Sequence, residues 1–242
     1  MSDDAPLLET RRLSMRFGGV TAVDTVDFRL KPGELRCLIG PNGAGKSTFF
    51  KCLTGQLDPS EGEINFQGQP ITGLNSHDIA RRGIGIKTQV PNLFDGLTAH
   101  ENVWLAARHH NGKAEANKIA ADVMARVGIS HLADAVVAKL AHGQRQLIEL
   151  STVLAGEPTL ILLDEPAAGM THEETARAAE IIREINQTTA MIVVEHDMQF
   201  IKQIASMVTV FHQGAILVEA PMDEILRNPT VRDVYLGKQA AA

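Results

Sequence analysis

The sequence lacks any apolar run of the roughly 18 to 20 residues that a membrane-spanning helix needs. Its longest apolar runs, such as residues 160–163 and 190–194, have only the length of a strand. The acidic start, Met-Ser-Asp-Asp-Ala, also lacks the positive charge that opens a signal peptide. We therefore expect a cytosolic chain that reaches a membrane only through a partner.

The chain also lacks net positive charge, and it has only two cysteines. The formal net charge of −6 gives no bulk positive field to neutralise phosphates, so nucleic acid is not expected as a partner. The two cysteines, Cys37 and Cys52, could pair, but isolated thiols in apolar surroundings usually stay reduced in a cytosolic protein. A length of 242 residues, 44% of them hydrophobic, is enough for one large domain or two small ones.

Hydrophobic periodicity indicates alternating strands and helices. Val26, Phe28 and Leu30 alternate with polar residues, which predicts a half-buried strand. Continuous apolar runs predict buried strands at residues 35–39, 160–163, 191–194 and 208–211. Capping-box patterns at residues 98–101 and 171–174 predict two helix starts, and Gly128 predicts a helix end. Because strands alternate with helices, we expect a parallel sheet covered by helices.

A glycine-rich segment follows the first buried strand and matches G-x-x-x-x-G-K-[ST] in full. It consists of Gly40, Pro41, Asn42, Gly43, Ala44, Gly45, Lys46 and Ser47, and Thr48 continues into a predicted helix. Glycines let the backbone curl and aim many N–H groups at one phosphate group, and the helix adds its N-terminal dipole. Lys46 would bridge the β- and γ-phosphates, and Ser47 would bind Mg²⁺. The segment predicts a nucleoside triphosphate site.

Two carboxylates, Asp164 and Glu165, stand at the end of a predicted buried strand. A phosphate loop needs a strand-end carboxylate near Mg²⁺, and hydrolysis needs a group that orients and deprotonates water. We assign the first role to Asp164 and the second to Glu165. An Asp-Glu pair after an apolar run is a weak signal alone, but it gains weight beside the phosphate loop.

With these motifs in this order, the chain resembles the nucleotide-binding subunits of ABC transporters over nearly its whole length. The resemblance implies that Phe17 stacks on adenine, that Gln89 contacts Mg²⁺ and senses a permease, and that His196 is a switch histidine. It also implies a signature at residues 140–144, in which Ala141, Gly143 and Gln144 face the γ-phosphate of an opposing subunit. Glu165, His196 and Gln89 are then the catalytic residues, and Ser47, Gln89 and Asp164 serve the metal.

The resemblance further implies an α/β fold with a P-loop NTPase core of the ABC ATPase type. A single domain of residues 1–242 would comprise an antiparallel β subdomain with the P-loop core (5–90), an inserted helical subdomain (91–150), the rest of the core (151–220) and a short tail (221–242). The expected function is ATP hydrolysis that powers a membrane importer. Expected partners are permease subunits, a second ABC ATPase subunit and, indirectly, an extracytoplasmic solute-binding protein, at the cytoplasmic face of the inner membrane.

Several segments are similar to the importer branch for branched-chain amino acids, amides and urea. They are the early Phe-Gly-Gly at residues 17–19, residues 167–171 and the closing Val-Tyr-Leu-Gly237. The His-Gly-Gln signature and residues 170–175 favour the urea-type members. Two other readings remain open: a weakly active or regulatory ABC subunit, and a soluble ABC ATPase unrelated to transport.

The sequence departs from the family pattern at two positions. Ala141 stands where the signature usually has serine, so one hydrogen bond to the γ-phosphate is lost and hydrolysis should be slow but real. Thr171 stands where the family often has aspartate. Residues 89–101 are expected to face the permease, where the apolar side chains of Pro91, Leu93 and Phe94 (with Leu97) either contact that partner or pack under the helical subdomain.

Overall fold

The computed structural model describes residues 5–236, so only Gly237 of the closing Val-Tyr-Leu-Gly237 motif lies outside the described residues. The strands are β1 (Leu8–Phe17), β2 (Val20–Leu30), β3 (Leu35–Ile39), β4 (Glu61–Phe66), β5 (Gln69–Pro70), β6 (Ile84–Lys87), β7 (Leu160–Asp164), β8 (Ala190–Val194), β9 (Met207–His212) and β10 (Ala215–Pro221). The helices are α1 (Lys46–Leu53), α2 (Ser76–Arg81), α3 (Ala99–Ala107), α4 (Lys113–Val127), α5 (His142–Ala155), α6 (His172–Asn186), α7 (Met198–Ile204), α8 (Met222–Arg227) and α9 (Pro229–Leu236).

The strands form two sheets. An antiparallel sheet has the order β2-β1-β4-β5, and a larger sheet has the order β10-β9-β3-β8-β7-β6. Strands β9, β3, β8, β7 and β6 are parallel, and β10 pairs antiparallel with β9 at one edge. The predicted parallel sheet is present, because each continuous apolar run is buried on both of its faces.

Side chains on the two faces of the large sheet enter two separate cores. Ile161 and Leu163 of β7 pack with helices α3 to α7, whereas Leu160 and Leu162 pack with α1 and the antiparallel sheet. This alternation follows from the two-residue period of a strand. The molecule therefore has three layers, with the large sheet in the middle.

Local signals in the sequence correctly located several helix ends. Thr98 and Thr171 each cap a helix through reciprocal hydrogen bonds, with Glu101 and Glu174 respectively. Gly128 ends α4 in the left-handed conformation, with φ of 79°. Other elements had no clear sequence signal: β1, β10, and the helices α8 and α9 within the segment that we expected to be a tail.

Cys37 and Cys52 are both buried, and no disulfide bond joins them. Burial raises the pKa of the Cys52 thiol to about 11 and raises that of Cys37 further. Within residues 5–236, no helix is both long and apolar enough to cross a membrane.

Candidate nucleotide-binding site

The phosphate-loop pattern lies between the end of β3 and the start of α1. Gly43 and Gly45 adopt left-handed φ angles of 79° and 104°. A Cβ atom on Gly45 would collide with the carbonyl oxygen of Ala22, and one on Gly40 with that of Phe211. Glycine is required at these two positions because neighbouring backbone approaches the loop closely. The strand–loop–helix context that the pattern needs is therefore present.

Lys46 extends its side chain back over this loop. Its Nζ donates hydrogen bonds to the carbonyl oxygens of Gly40, at 2.6 Å, and Pro41, at 3.1 Å. Burial lowers the pKa of the Lys46 ammonium, and the carboxylates of Glu165 and Asp164 oppose that effect. A partly desolvated cation held in a glycine loop at a helix N-terminus suits a bound phosphate chain.

Glu165 stands at the centre of the predicted catalytic residues. Gln89 Nε2 donates to Glu165 Oε2 at 2.8 Å, and His196 Nδ1 lies 3.3 Å from Oε1. These residues follow β6, β7 and β8, three adjacent parallel strands whose carboxyl ends meet at one edge of the sheet. The fold thus brings together three side chains that are far apart in sequence, at the edge where open α/β sheets usually bind ligands.

The backbone of Glu165 is itself unusual. Its φ of 46° lies in the left-handed region, which non-glycine residues rarely adopt. The Glu165 N–H donates to the carbonyl oxygen of Val194 at 2.9 Å, and Ala168 N–H donates to the Glu165 carbonyl at 3.2 Å. These bonds to β8 and to the following turn hold the residue in that conformation.

The predicted metal residues are Ser47, Gln89 and Asp164. Asp164 is half-buried at the end of β7, and burial raises the pKa of its carboxyl group, with a further rise from Glu165. Ser47 is exposed in the first turn of α1. Among the described residues, no cluster of three or more His, Cys, Asp or Glu side chains could hold a metal ion. The hydroxyl, amide and carboxylate oxygens of the three residues are hard donors of the kind that Mg²⁺ prefers.

The remaining predicted binding residues lie at the end of β1 and at the start of α5. Phe17 ends β1 with 46% of its surface exposed. In the signature, Ala141 is the exposed N-cap of α5, Gln144 Oε1 accepts from the Ala141 N–H at 3.0 Å, and Gly143 is buried against the carboxylate of Glu174. Within the described chain, no hydrogen bond or ion pair joins this signature to residues 40–47.

Four polar residues near the site were missed by sequence reasoning. Glu195 is 2% exposed, and its Oε2 accepts from the backbone N–H groups of His196, at 2.8 Å, and Asp197, at 3.2 Å. The other three, Lys87, Gln146 and Glu149, are also buried. The sequence signal that could have identified them is a charged residue at the end of an apolar strand, as in Ile-Val-Val-Glu195. Such a residue by itself usually marks the solvated end of a strand.

Comparison with known proteins identifies the family. The family model described as "ABC transporter" matches residues 23–168, which is more than half of the chain. The chain belongs to this family. It is an ATPase that couples nucleotide hydrolysis to transport, as the resemblance in the sequence implied.

Two curated relatives of this ABC protein match along almost their whole length. The chain is 34% identical over 251 residues to "High-affinity branched-chain amino acid transport ATP-binding protein BraF" of Pseudomonas aeruginosa, covering 96% of this chain and 98% of that protein. It is 36% identical over 252 residues to the LivG protein of the same description from Escherichia coli, covering 96% and 98%.

Solved structures confirm the fold. An ATP-binding cassette named MJ1267 superimposes with a TM-score of 0.87 at 25% identity, covering 96% of this chain and 100% of that one. The cbiO1 protein from Clostridium perfringens, part of the transporter complex cbiONQ, superimposes with a TM-score of 0.84 at 27% identity, covering 98% of each chain. The predicted ABC ATPase fold is therefore correct.

Proposed function

We propose that this chain is the ATP-hydrolysing subunit of a membrane importer for branched-chain amino acids. The observation that supports this solute class is the near full-length identity of 34% and 36% to BraF and LivG. Amides and urea were the other solutes that the sequence left open, and the His-Gly-Gln signature is the remaining argument for urea. Uptake of labelled leucine and of labelled urea, in cells with and without this gene, would discriminate between them.

We assign the role of general base to Glu165. Gln89 and His196 each hold one of its carboxylate oxygens, which orients the carboxylate toward an attacking water. ATP would lie with its phosphates over the loop Gly40, Pro41, Asn42, Gly43, Ala44, Gly45, Lys46, Ser47 and Thr48, and with its adenine on the exposed ring of Phe17. Mg²⁺, which arrives with the nucleotide and neutralises phosphate charge, would be held by Ser47, Gln89 and Asp164.

The second half of each site comes, in this proposal, from a second ABC ATPase subunit. Ala141, Gly143 and Gln144 would face the γ-phosphate of that partner, which is either the same chain or a paralogue. Ala141 is exposed at the start of α5 and is therefore accessible to a second subunit. We also propose the division of the chain into a core with an antiparallel β subdomain and an inserted helical subdomain at about residues 91–150.

Permease subunits are the proposed partners on the surface formed by residues 89–101, at the cytoplasmic face of the inner membrane. Val90 and Phe94 are 75% and 65% exposed there, which is unusual for large apolar side chains in a loop. Leu93, in contrast, packs against the core. The regulatory and non-transport alternatives are disfavoured, because the Gln89–Glu165–His196 arrangement is intact and the relatives are transport proteins.

The test of the ATPase assignment is Glu165→Gln. This change keeps the size of the side chain but removes the base, so phosphate release should fall by about 100-fold or more. ATP binding should persist, because the phosphate loop is unchanged. Glu180→Gln, an exposed glutamate on α6, is the matched control. Turnover of Glu165→Gln close to that of the control would contradict the assignment.

A further inference from the structure

The helix that follows the signature, α5, carries a stripe of polar side chains that the proposed chemistry does not use. His142, Gln146 and Glu149 are spaced by four and three residues and therefore lie on one face of the helix. Gln146 and Glu149 are 1% and 3% exposed. We call these three residues the α5 stripe. Buried polar side chains are uncommon without partners, so their contacts are informative.

Glu149 contacts the chain on both sides of Gln89. Lys87, the last residue of β6, places its Nζ 3.4 Å from Glu149 Oε2. On the other side, the Asn92 N–H donates to Glu149 Oε1 at 2.8 Å. A single carboxylate on α5 therefore holds the chain two residues before and three residues after the proposed metal ligand.

Gln146 and His142 extend this contact to a second loop. Gln146 Nε2 donates a long hydrogen bond of 3.5 Å to the carbonyl oxygen of Gln89 itself. His142 Nε2 lies 3.0 Å from Gln146 Nε2 and 3.1 Å from the carbonyl oxygen of Ala168, three residues after Glu165. In any one tautomer this nitrogen either accepts from Gln146 or donates to Ala168. The α5 stripe thus lies between the loop that carries Gln89 and the loop that follows Glu165.

The buried charges of Glu149 and its partner Lys87 are costly for folding. Burial raises the pKa of Glu149 and lowers that of Lys87, and in each case the partner's charge opposes the shift. In addition, Glu149 Oε2 and Gln146 Oε1 have no hydrogen-bond partner in the described chain. Because an apolar pair of similar volume is often as stable as a buried ion pair, stability alone does not explain these residues.

We propose that Glu149, assisted by Gln146, is a positioning residue for Gln89. The carboxylate fixes the chain to the signature helix on both sides of Gln89, at Lys87 and at Asn92. This inference rests on the proposed function, in which Gln89 contacts the metal.

The principal test is the double variant Lys87→Met/Glu149→Leu, which removes both buried charges and leaves neither unpaired. The apparent Mg²⁺ concentration for half-maximal ATP binding and turnover should rise about tenfold, as expected when a partner of a metal ligand is removed. Binding of ATP without Mg²⁺ and the KM for ATP at saturating Mg²⁺ should change little. Peptides from residues 88–98 should exchange backbone hydrogen for deuterium faster, since the Asn92 N–H loses its acceptor.

Three further variants serve as controls for the double variant. Lys87→Met/Glu149→Gln keeps an acceptor for Asn92 without leaving an unpaired charge, and it should show a smaller effect in each measurement. Glu34→Gln alters another buried ion pair, with Arg36 at 2.6 Å, and should leave the Mg²⁺ dependence and the exchange of residues 88–98 unchanged. Gln89→Ala should reproduce the Mg²⁺ effect without loosening of the Asn92 contact.

The outcomes distinguish a failure of the Glu149 role from a failure of the proposed function. An unchanged Mg²⁺ dependence in the folded double variant, together with a clear effect of Gln89→Ala, overturns the role of Glu149 and leaves the proposed function standing. Unchanged deuterium exchange at residues 88–98 in the double variant also overturns that role. No Mg²⁺ effect from Gln89→Ala overturns the metal role of Gln89 and the inference with it.

Discussion

At the scale of single residues, the nucleotide site keeps charged groups where water is scarce. Burial lowers the pKa of Lys46 and raises that of Asp164, so the charged form of each is disfavoured by its surroundings. Such shifts are typical of functional sites, because a group suited to bind phosphate or metal is seldom the group that best stabilises the empty fold.

The cost of keeping Asp164 ionised in the folded chain predicts the effect of Asp164→Asn on stability. The folded-state pKa of Asp164 is raised, so its ionised form opposes folding at any pH above that raised value. The nucleotide-free variant should therefore have a higher Tm than the wild type at pH 7.5. The difference should shrink as the pH falls from the raised pKa toward the ordinary carboxyl value of about 3.9.

Thermal unfolding measured across this pH range checks the prediction, with Asp122→Asn, an exposed aspartate on α4, as the matched control. Asp164→Asn should at the same time weaken Mg²⁺-dependent turnover. A lower Tm than wild type at pH 7.5 would contradict the argument from burial.

At the scale of elements, the start of α5 differs from the starts of α3 and α6. Thr98 and Thr171 cap their helices through side-chain hydrogen bonds, whereas Ala141 has no side-chain oxygen for α5. The first four N–H groups of a helix have no partner within it, and a side-chain cap accepts a hydrogen bond from one of them. The departure from the family signature is therefore also a missing helix cap.

Ala141→Ser should consequently have two separable effects. The new hydroxyl should cap α5 and stabilise the single chain by about 1 kcal/mol. It should also restore a donor to the partner's γ-phosphate and raise turnover by roughly tenfold, from about 1.5 kcal/mol for a hydrogen bond to a charged group. Tm and phosphate release measure the two effects.

Ala141→Asn is the informative control for this prediction. Asparagine is as good an N-cap as serine, so it should raise the Tm similarly. Its larger amide does not reproduce the hydroxyl, so turnover should not rise with it. If neither serine nor asparagine alters turnover, the expectation that Ala141 slows hydrolysis is wrong.

At the scale of the whole molecule, the proposed nucleotide site and the proposed permease surface share the loop of residues 88–98. Loop 88–98 has Gln89 at one end, packed at the nucleotide site, and Phe94 exposed in its middle. A partner that binds Phe94 therefore contacts the same loop that α5 holds. The apolar side chains of this loop differ in their surroundings, since Leu93 packs on the core while Phe94 is exposed.

Phe94→Glu should disrupt assembly with the permease. A charge in place of a large apolar anchor should weaken the complex at least roughly tenfold, while ATP binding by the free chain stays intact. Copurification of the permease with tagged chain measures this effect. Leu226→Glu, which changes an exposed leucine on α8, is the matched control, and normal assembly by Phe94→Glu would exclude residues 89–101 as the docking surface.

The sequence by itself determined the features that depend on neighbouring residues. The phosphate loop, the Asp164–Glu165 strand end, the capping boxes at Thr98 and Thr171 and the buried parallel strands were all predictable, because each is specified within a few consecutive residues. The elements β10, α8 and α9 were not predictable from periodicity, since β10 pairs at the edge of the large sheet, α8 packs against β10, and α9 packs against α8.

Only the tertiary structure decided which distant side chains meet. Gln89 and Glu165 are 76 residues apart, and Lys87 and Glu149 belong to different elements, so no local pattern relates them. A charged residue in an apolar stretch has the same appearance in sequence whether it is solvated or buried against a partner. The folded chain resolves that difference, because burial without water requires each charge to find its partner.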